Sequence, residues 1–314
     1  MRGCNNFLAD KRRTSHLPCA RARRAEYDAC LRTREGGLSA VNERGDAYYW
    51  RLFATACCFV VFGLGGLALG LVVFPLTRLL PGGELAQRER VRRTLGAVLR
   101  WFADFTVFMG VLTYEVSGAQ RLGRPGQLVL ANHPSLIDVV FLLAFSPSSS
   151  CIGKQSLWAN PFTRGPVSAA GYVSNDSVEG MIEGASAALT SGQSVIIFPE
   201  GTRTAPGRPL QFHRGAAAIA IRAAQVVTPV YIRCSPPTLA KNVPWYRIPE
   251  RRFHVSLRTG EDIDPEPFRR SAAAPIAGRR LSARLLQLYT AELAASEAAI
   301  ETANGAAMRT GSGE

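Results

Sequence analysis

The sequence predicts an α/β fold, with a central sheet flanked by helices and an N-terminal membrane-anchoring helical segment ahead of it. Three observations carry that prediction. From residue 127 onward, short apolar runs of strand type alternate with helix-period segments. Ahead of them, Leu52 to Thr77 contains no charged residue. Two of the strand runs end abruptly in polar turns, at Asn132-His133-Pro134 and at Pro199-Glu200-Gly201-Thr202-Arg203.

The chain divides into four parts. Residues 1–47 are Arg-rich, short of large aliphatics and without a sustained period, and read as a basic disordered tail or as sequence upstream of the true start. They do not resemble a cleavable signal, because the apolar run lies too far in and has no small-residue cleavage pattern close behind it. Residues 48–115 read as membrane-anchoring helices. The uncharged run, bounded by Arg51 and Arg78, exceeds the roughly 20 residues that span a bilayer as a helix. Both of its flanks are basic, with Arg88, Arg90, Arg92, Arg93 and Arg100 following, so the excess of positive charge gives no orientation. Gly63, Gly65, Gly66 and Gly70 let this helix bend or pack closely against a neighbour.

Leu95 to Tyr114 is a second apolar segment, interrupted by Arg100 and Asp104, which lie one turn apart and can pair. With Trp101, Phe102, Phe105 and Phe108 it reads as an amphipathic helix in the membrane interface. Two helices that return the chain to one face and a conventional single span both remain open.

Residues 116–270 read as the catalytic domain. Strands are predicted over 127–131, 150–153, 171–174, 194–198, 226–232 and 252–258, and helices over 136–145, 178–190 and 213–224. Residues 271–314 form a C-terminal helix, Ala-rich from Leu281 to Thr302, and a tail.

Composition narrows the function classes. Net charge is +13, hydrophobic residues make up 47% and charged residues only 19%, a balance that points to an anionic surface and to membrane contact. Neither zinc-finger spacing nor interleaved basic and aromatic RNA-binding motifs are present, which argues against nucleic acid. Basic residues crowd both sides of the apolar stretch instead, as suits anionic lipid. The seven cysteines are odd in number and lack any Cys-x-x-Cys spacing, which reads as free thiols rather than a disulfide framework.

The two turns carry the chemistry. His133 is delivered at a strand-to-helix turn because Pro134 stops the ladder, and Asp138 follows about one helical turn later. A carboxylate there can hold an imidazole in one tautomer and stabilise the imidazolium formed when it takes a proton. Ser135 and Asp138 equally fit a capping box, in which the acid reaches back to a backbone N–H. In the second turn, Gly201 lets the backbone turn its N–H groups toward an anion, Thr202 adds a hydroxyl, and Arg203 offers a fork matched to phosphate. Glu200 can position Arg203 or a substrate hydroxyl. A polar turn with a surface ion pair is the plainer reading of the same residues.

Together, Asn-His-x-x-x-x-Asp and Phe198-Pro199-Glu200-Gly201-Thr202-Arg203 resemble the glycerophospholipid acyltransferase family, which includes bacterial 1-acylglycerol-3-phosphate acyltransferases. The resemblance covers roughly residues 50 to 260. It implies that His133 is the general base for the acceptor hydroxyl, that Asp138 orients it, and that Glu200, Gly201 and Arg203 belong to the acceptor's phosphate site. It implies direct attack on a thioester, acyl-CoA or acyl carrier protein, with no other cofactor and no metal. Lys154, ahead of Pro161, matches a family block in which the Lys reaches the acceptor phosphate, and is otherwise a solvated Lys. Phe212-His213-Arg214-Gly215 resembles an aromatic-basic-Gly segment opening a helix, where Arg214 can meet an anion. Val227-Thr228-Pro229-Val230 matches a block linked to the acyl chain, and is also an ordinary core strand. Ser177 stands at or near a position where the family usually carries Arg, which places lysophosphatidate as acceptor in question.

The expectation is a membrane-bound acyltransferase acting on a lyso-lipid hydroxyl, in the bacterial inner membrane with the catalytic domain facing the cytoplasm. Its expected partners are an anionic phospholipid membrane, a lyso-lipid acceptor and acyl carrier protein, without nucleic acid. Another lyso-lipid such as lyso-ornithine lipid, or glycerol 3-phosphate, is the alternative acceptor. A non-catalytic membrane-binding protein on the same scaffold is the alternative class.

Overall fold

The computed structural model describes residues 48–204 and 209–310, so the tail predicted over residues 1–47 lies outside the described residues. Helix α1, Tyr48–Thr77, is the one helix among the described residues long and apolar enough to cross a membrane, with a mean hydropathy of 2.5. A π-helical turn at Leu69–Val73 interrupts its regular α pitch. Helix α2, Glu84–Phe108, ends at Gly110, whose φ of 73° turns the chain into β1, Leu112–Ser117.

There the sequence predicts more helix, to Tyr114, and the structure corrects it. Apolar residues run on without a break in composition, but β1 is paired in parallel with β7, Phe253–Thr259, along its whole length. Tertiary pairing overrides a local reading of period.

The remaining elements follow as β2 (Gln127–Ala131), α3 (Asp138–Phe145), β3 (Ser150–Gly153), α4 (Ser156–Ala159), α5 (Pro161–Ala169), β4 (Val173–Ser174), α6 (Val178–Thr190), β5 (Val195–Ile197), α7 (Arg214–Ala223), β6 (Val226–Ser235), α8 (Glu266–Ser271) and α9 (Ala274–Thr310), with β7 between β6 and α8. No helix is assigned at α5 from the sequence. Pro161 is tolerated at the first helical turn, and Asn160 caps it by accepting from the Phe162 amide at 3.0 Å.

The seven strands form one sheet in the order β1-β7-β6-β2-β5-β3-β4. Every neighbouring pair is parallel except β6 with β7. β2 is central and buried on both faces, as its unbroken apolar run requires. Val129 and Ala131 face a core shared with α1, α2 and α3, while Leu128 and Leu130 face a second core shared with α6, α7 and α9. The sheet is therefore a middle layer. β2, β5 and β6 run parallel, so their carboxyl ends lie along one edge, where open α/β sheets place their sites.

Candidate active site

At the end of β2, the Asn132 side chain takes over the ladder. It donates to the Ile232 carbonyl and accepts from the Ile232 amide, both at 2.8 Å, so strand pairing to β6 continues through a side chain. His133 follows, released from the sheet. Its Nδ1 lies 2.9 Å from Asp138 Oδ2, and the Ser135 amide donates to that same oxygen at 2.6 Å. The ionised carboxylate only accepts, so the proton of this pair sits on Nδ1 and Nε2 is the nitrogen left for a substrate.

From β5, Glu200 holds the same turn at the backbone. Its Oε1 accepts from the His133 amide at 3.0 Å, and its Oε2 accepts from the Thr204 hydroxyl at 2.7 Å. The Thr204 amide donates to the His133 carbonyl at 2.7 Å, so both peptide groups of His133 are clasped. The ring stacks on Phe198 at a centroid distance of 4.1 Å. Gly201, with φ of 64°, passes under His213, and a Cβ there would stand 2.9 Å from the His213 ring.

Two buried carboxyls thus flank one imidazole. Burial pushes the Asp138 carboxyl above its usual range, opposed by the hydrogen bond and charge of His133 and by the Ser135 amide. Burial likewise raises Glu200, opposed by Thr204 and by His133. Positive charge on His133 favours the ionised form of both.

The structure brings His133, Asp138, Glu200 and Gly201 into this hub, with Arg203 at its margin. Arg203 Nη1 donates to the Leu239 and Ala240 carbonyls at 2.7 and 3.1 Å, which leaves its Nε and Nη2 without partners among the described residues. Thr202 is exposed on the turn. Lys154 is exposed just past β3, and Arg214 is exposed at the first residue of α7; neither side chain bonds to the hub. Ser177 caps α6, its hydroxyl accepting from the Gly180 amide at 3.1 Å.

Sequence reasoning assigns no role to Asn132, Thr204, Phe198 or His213, although all four lie inside the two turn motifs or the segment that opens α7. It also misses Tyr289. From α9, the buried Tyr289 hydroxyl donates to the Leu130 carbonyl at 2.5 Å and accepts from the Val230 amide at 3.2 Å. It therefore fastens β2 to β6 just before the His133 turn, and only the three-dimensional fold reveals it. Among the described residues, no group of three or more His, Cys, Asp or Glu side chains is placed to hold a metal ion.

Residues 113–233 match the Acyltransferase family. The 1-acyl-sn-glycerol-3-phosphate acyltransferase of Helicobacter pylori is 33% identical over 101 residues, covering 30% of this chain and 43% of the relative. The Pseudomonas aeruginosa protein of the same name is 27% identical over 149 residues, covering 46% and 58%. The human 1-acyl-sn-glycerol-3-phosphate acyltransferase alpha is 30% identical over 166 residues, covering 50% and 56%. The chain thus spans about half the length of the curated relatives it matches. The crystal structure of the 1-acyl-sn-glycerophosphate (LPA) acyltransferase PlsC from Thermotoga maritima superposes with a TM-score of 0.57 at 22% identity, covering 76% of this chain and 95% of that one, a likeness of fold. The site is built at the edge of that shared sheet, within the stretch, residues 113–233, that is similar to the Acyltransferase family.

Proposed function

We propose that the chain is a membrane-bound acyltransferase that moves a fatty acyl group from a thioester, acyl-CoA or acyl carrier protein, to the hydroxyl of 1-acylglycerol-3-phosphate or a related lysophospholipid. One observation carries this reading: Asp138 occupies His133 Nδ1 at the exit of a central strand, which leaves Nε2 as the ring nitrogen for an acceptor hydroxyl. His133 Nε2 removes the acceptor's proton as its oxygen attacks the thioester carbonyl. The tetrahedral adduct collapses, the C–S bond breaks, and the imidazolium returns the proton to the departing thiolate. Arg203 Nε and Nη2, with Lys154 and Arg214 as outlying cations, supply donors for an acceptor phosphate.

Membrane attachment rests on α1. Its apolar length and the exposed Phe53, Val60, Leu64, Leu71, Val72 and Leu76 suit hydrocarbon rather than water. The bacterial inner membrane, with the domain on the cytoplasmic side where both thioester donors occur, is the matching location.

A second acceptor is favoured by Ser177. Its hydroxyl is spent on a helix cap, and it brings no guanidinium to the site. Loss of one charged hydrogen bond to phosphate costs about 1.5–3 kcal/mol, enough to shift preference to another lyso-lipid.

The test offers each labelled thioester donor, in mixed micelles, to lysophosphatidate, other lysophospholipids, lyso-ornithine lipid and glycerol 3-phosphate. Transfer to one acceptor, reduced about 10²–10⁴-fold in His133→Ala, is the expected result. No transfer to any acceptor by folded, micelle-bound protein overturns the proposal in favour of a binding protein on this scaffold.

A further inference from the structure

The segment joining β6 to β7, residues 236–252, is fastened at one end to the catalytic hub and at the other to α1. At the hub end, the Thr238 carbonyl accepts from Ser135 Oγ at 3.0 Å. The Leu239 carbonyl accepts from the Leu136 amide at 3.1 Å and from Arg203 Nη1 at 2.7 Å. Leu239 sits at a φ of 50°, a conformation that an aliphatic side chain keeps only when its surroundings impose it. Two donors converging on its carbonyl impose it here.

At the other end, Trp245 packs on Phe59 of α1 at a centroid distance of 5.5 Å. Arg51, buried at the start of α1, donates to the Pro249 carbonyl at 2.8 Å and also to the Glu250 carbonyl. Between these moorings the segment faces outward. Trp245 is 43% exposed and Tyr246 56% exposed, and they touch edge to face. Lys241, Arg247 and Arg251 are exposed beside them in the chain.

This arrangement has the composition of a membrane interface. Tryptophan and tyrosine favour the headgroup level, where an apolar body and a polar tip are both accommodated. Cationic side chains beside them are attracted to anionic headgroups. Position agrees with composition, since Trp245 lies against the flank of α1, and the residue after Phe59, Val60, is part of that helix's exposed apolar surface. If α1 occupies hydrocarbon, the strap that touches it meets the bilayer surface.

We propose that residues 236–252 form a lipid-contacting strap, seated through Trp245, Tyr246 and Lys241 in the headgroup layer of an anionic bilayer. It gives the catalytic domain a membrane contact of its own, rooted at Leu239 beside the hub. The proposal rests on the reading that α1 is in the membrane, and the experiment separates the two.

The full chain contains four tryptophans, so Trp50→Phe, Trp101→Phe and Trp158→Phe together leave Trp245 as the sole emitter. This protein is reconstituted in phosphatidylglycerol–phosphatidylethanolamine vesicles with and without brominated acyl chains. A second single-tryptophan protein keeps Trp50 instead and reports on α1. Trp245 emission falling by half or more on brominated lipid, with protection from aqueous acrylamide, is the expected result. Quenching of Trp50 while Trp245 stays acrylamide-accessible overturns the strap and leaves the α1 reading intact. Failure to quench either one overturns both. Protection of Trp245 that appears only on adding an acidic acyl carrier protein, without bromine quenching, overturns it in favour of a protein partner. Should the triple substitution not fold, the bromine-quenched fraction of the wild-type signal must drop in Trp245→Phe.

Discussion

At the hub, a single carboxylate oxygen, Asp138 Oδ2, serves both the imidazole of His133 and the amide of Ser135. The capping and imidazole-orienting readings of this motif therefore describe one atom, and neither excludes the other. Glu200 is the more informative acid for experiment, because it acts on His133 through the backbone rather than the ring. Burial raises its pKa above the usual value of 4.5. A raised carboxyl binds its proton more tightly in the folded state. That stability is fully present below the unfolded pKa and is lost as pH rises through the folded one. Glu200→Gln, neutral at every pH, should unfold at a temperature close to wild type near pH 4.5 and above it toward neutrality, with the gap widening upward. Thermal unfolding in detergent across that window measures it, and a gap that shrinks with rising pH refutes it. At this scale the sequence was legible wherever chemistry is local. His133, Asp138 and Glu200 follow from two short motifs, each at a strand end. Thr204, His213 and Tyr289 act through contacts set by the fold, and no spacing in the chain announces them.

Among the elements, the pairing of α1 with α5 decides how the apolar helix relates to the domain. The glycines of α1 lie against this neighbour: a Cβ on Gly66 would sit 2.3 Å from the Phe162 carbonyl oxygen, and one on Gly70 would sit 2.9 Å from the Gly165 Cα. Close backbone approach of this kind needs glycine on the contacting face. The glycines and their capacity for close packing were visible in the sequence, but α5, the partner they pack on, was not assigned. Gly65, one residue from Gly66, is different: a Cβ added there would meet nothing within 4 Å. Gly66→Val should therefore lower stability by about 1–3 kcal/mol through overpacking. Gly65→Ala should be neutral or raise it by up to about 1 kcal/mol, the helix-propensity difference. Unfolding midpoints of the two variants in one detergent decide the matter, since equal effects would mean that the helices do not touch there.

For the whole molecule, the apolar helix α1 and the central sheet share one core. Ala54, Cys58, Leu69 and Phe74 of α1 are buried in the same cluster as Val91 and Leu95 of α2, Phe141 of α3, and Val129 and Ile196 of the sheet. Arg51 adds its backbone bonds to the segment before β7, and buried Arg92 of α2 donates to the Ala170 carbonyl at 2.8 Å. A tether that merely held a domain at a membrane would be removable. This helix instead packs on the domain, Phe62 against Phe102 of α2 at a centroid distance of 5.4 Å, and its removal should uncover apolar side chains at about 1.5–3 kcal/mol for each large one exposed. A chain starting at Arg78 should therefore aggregate, or unfold at a markedly lower temperature in detergent, rather than yield a soluble catalytic domain. Size-exclusion chromatography and thermal unfolding of the two lengths provide the comparison. A monodisperse, detergent-free product with His133-dependent transfer would show that the shared core is dispensable. Aggregation alone would leave open a simple loss of solubility, so the unfolding midpoint in detergent, where apolar surface is solvated, is the measurement that carries the argument.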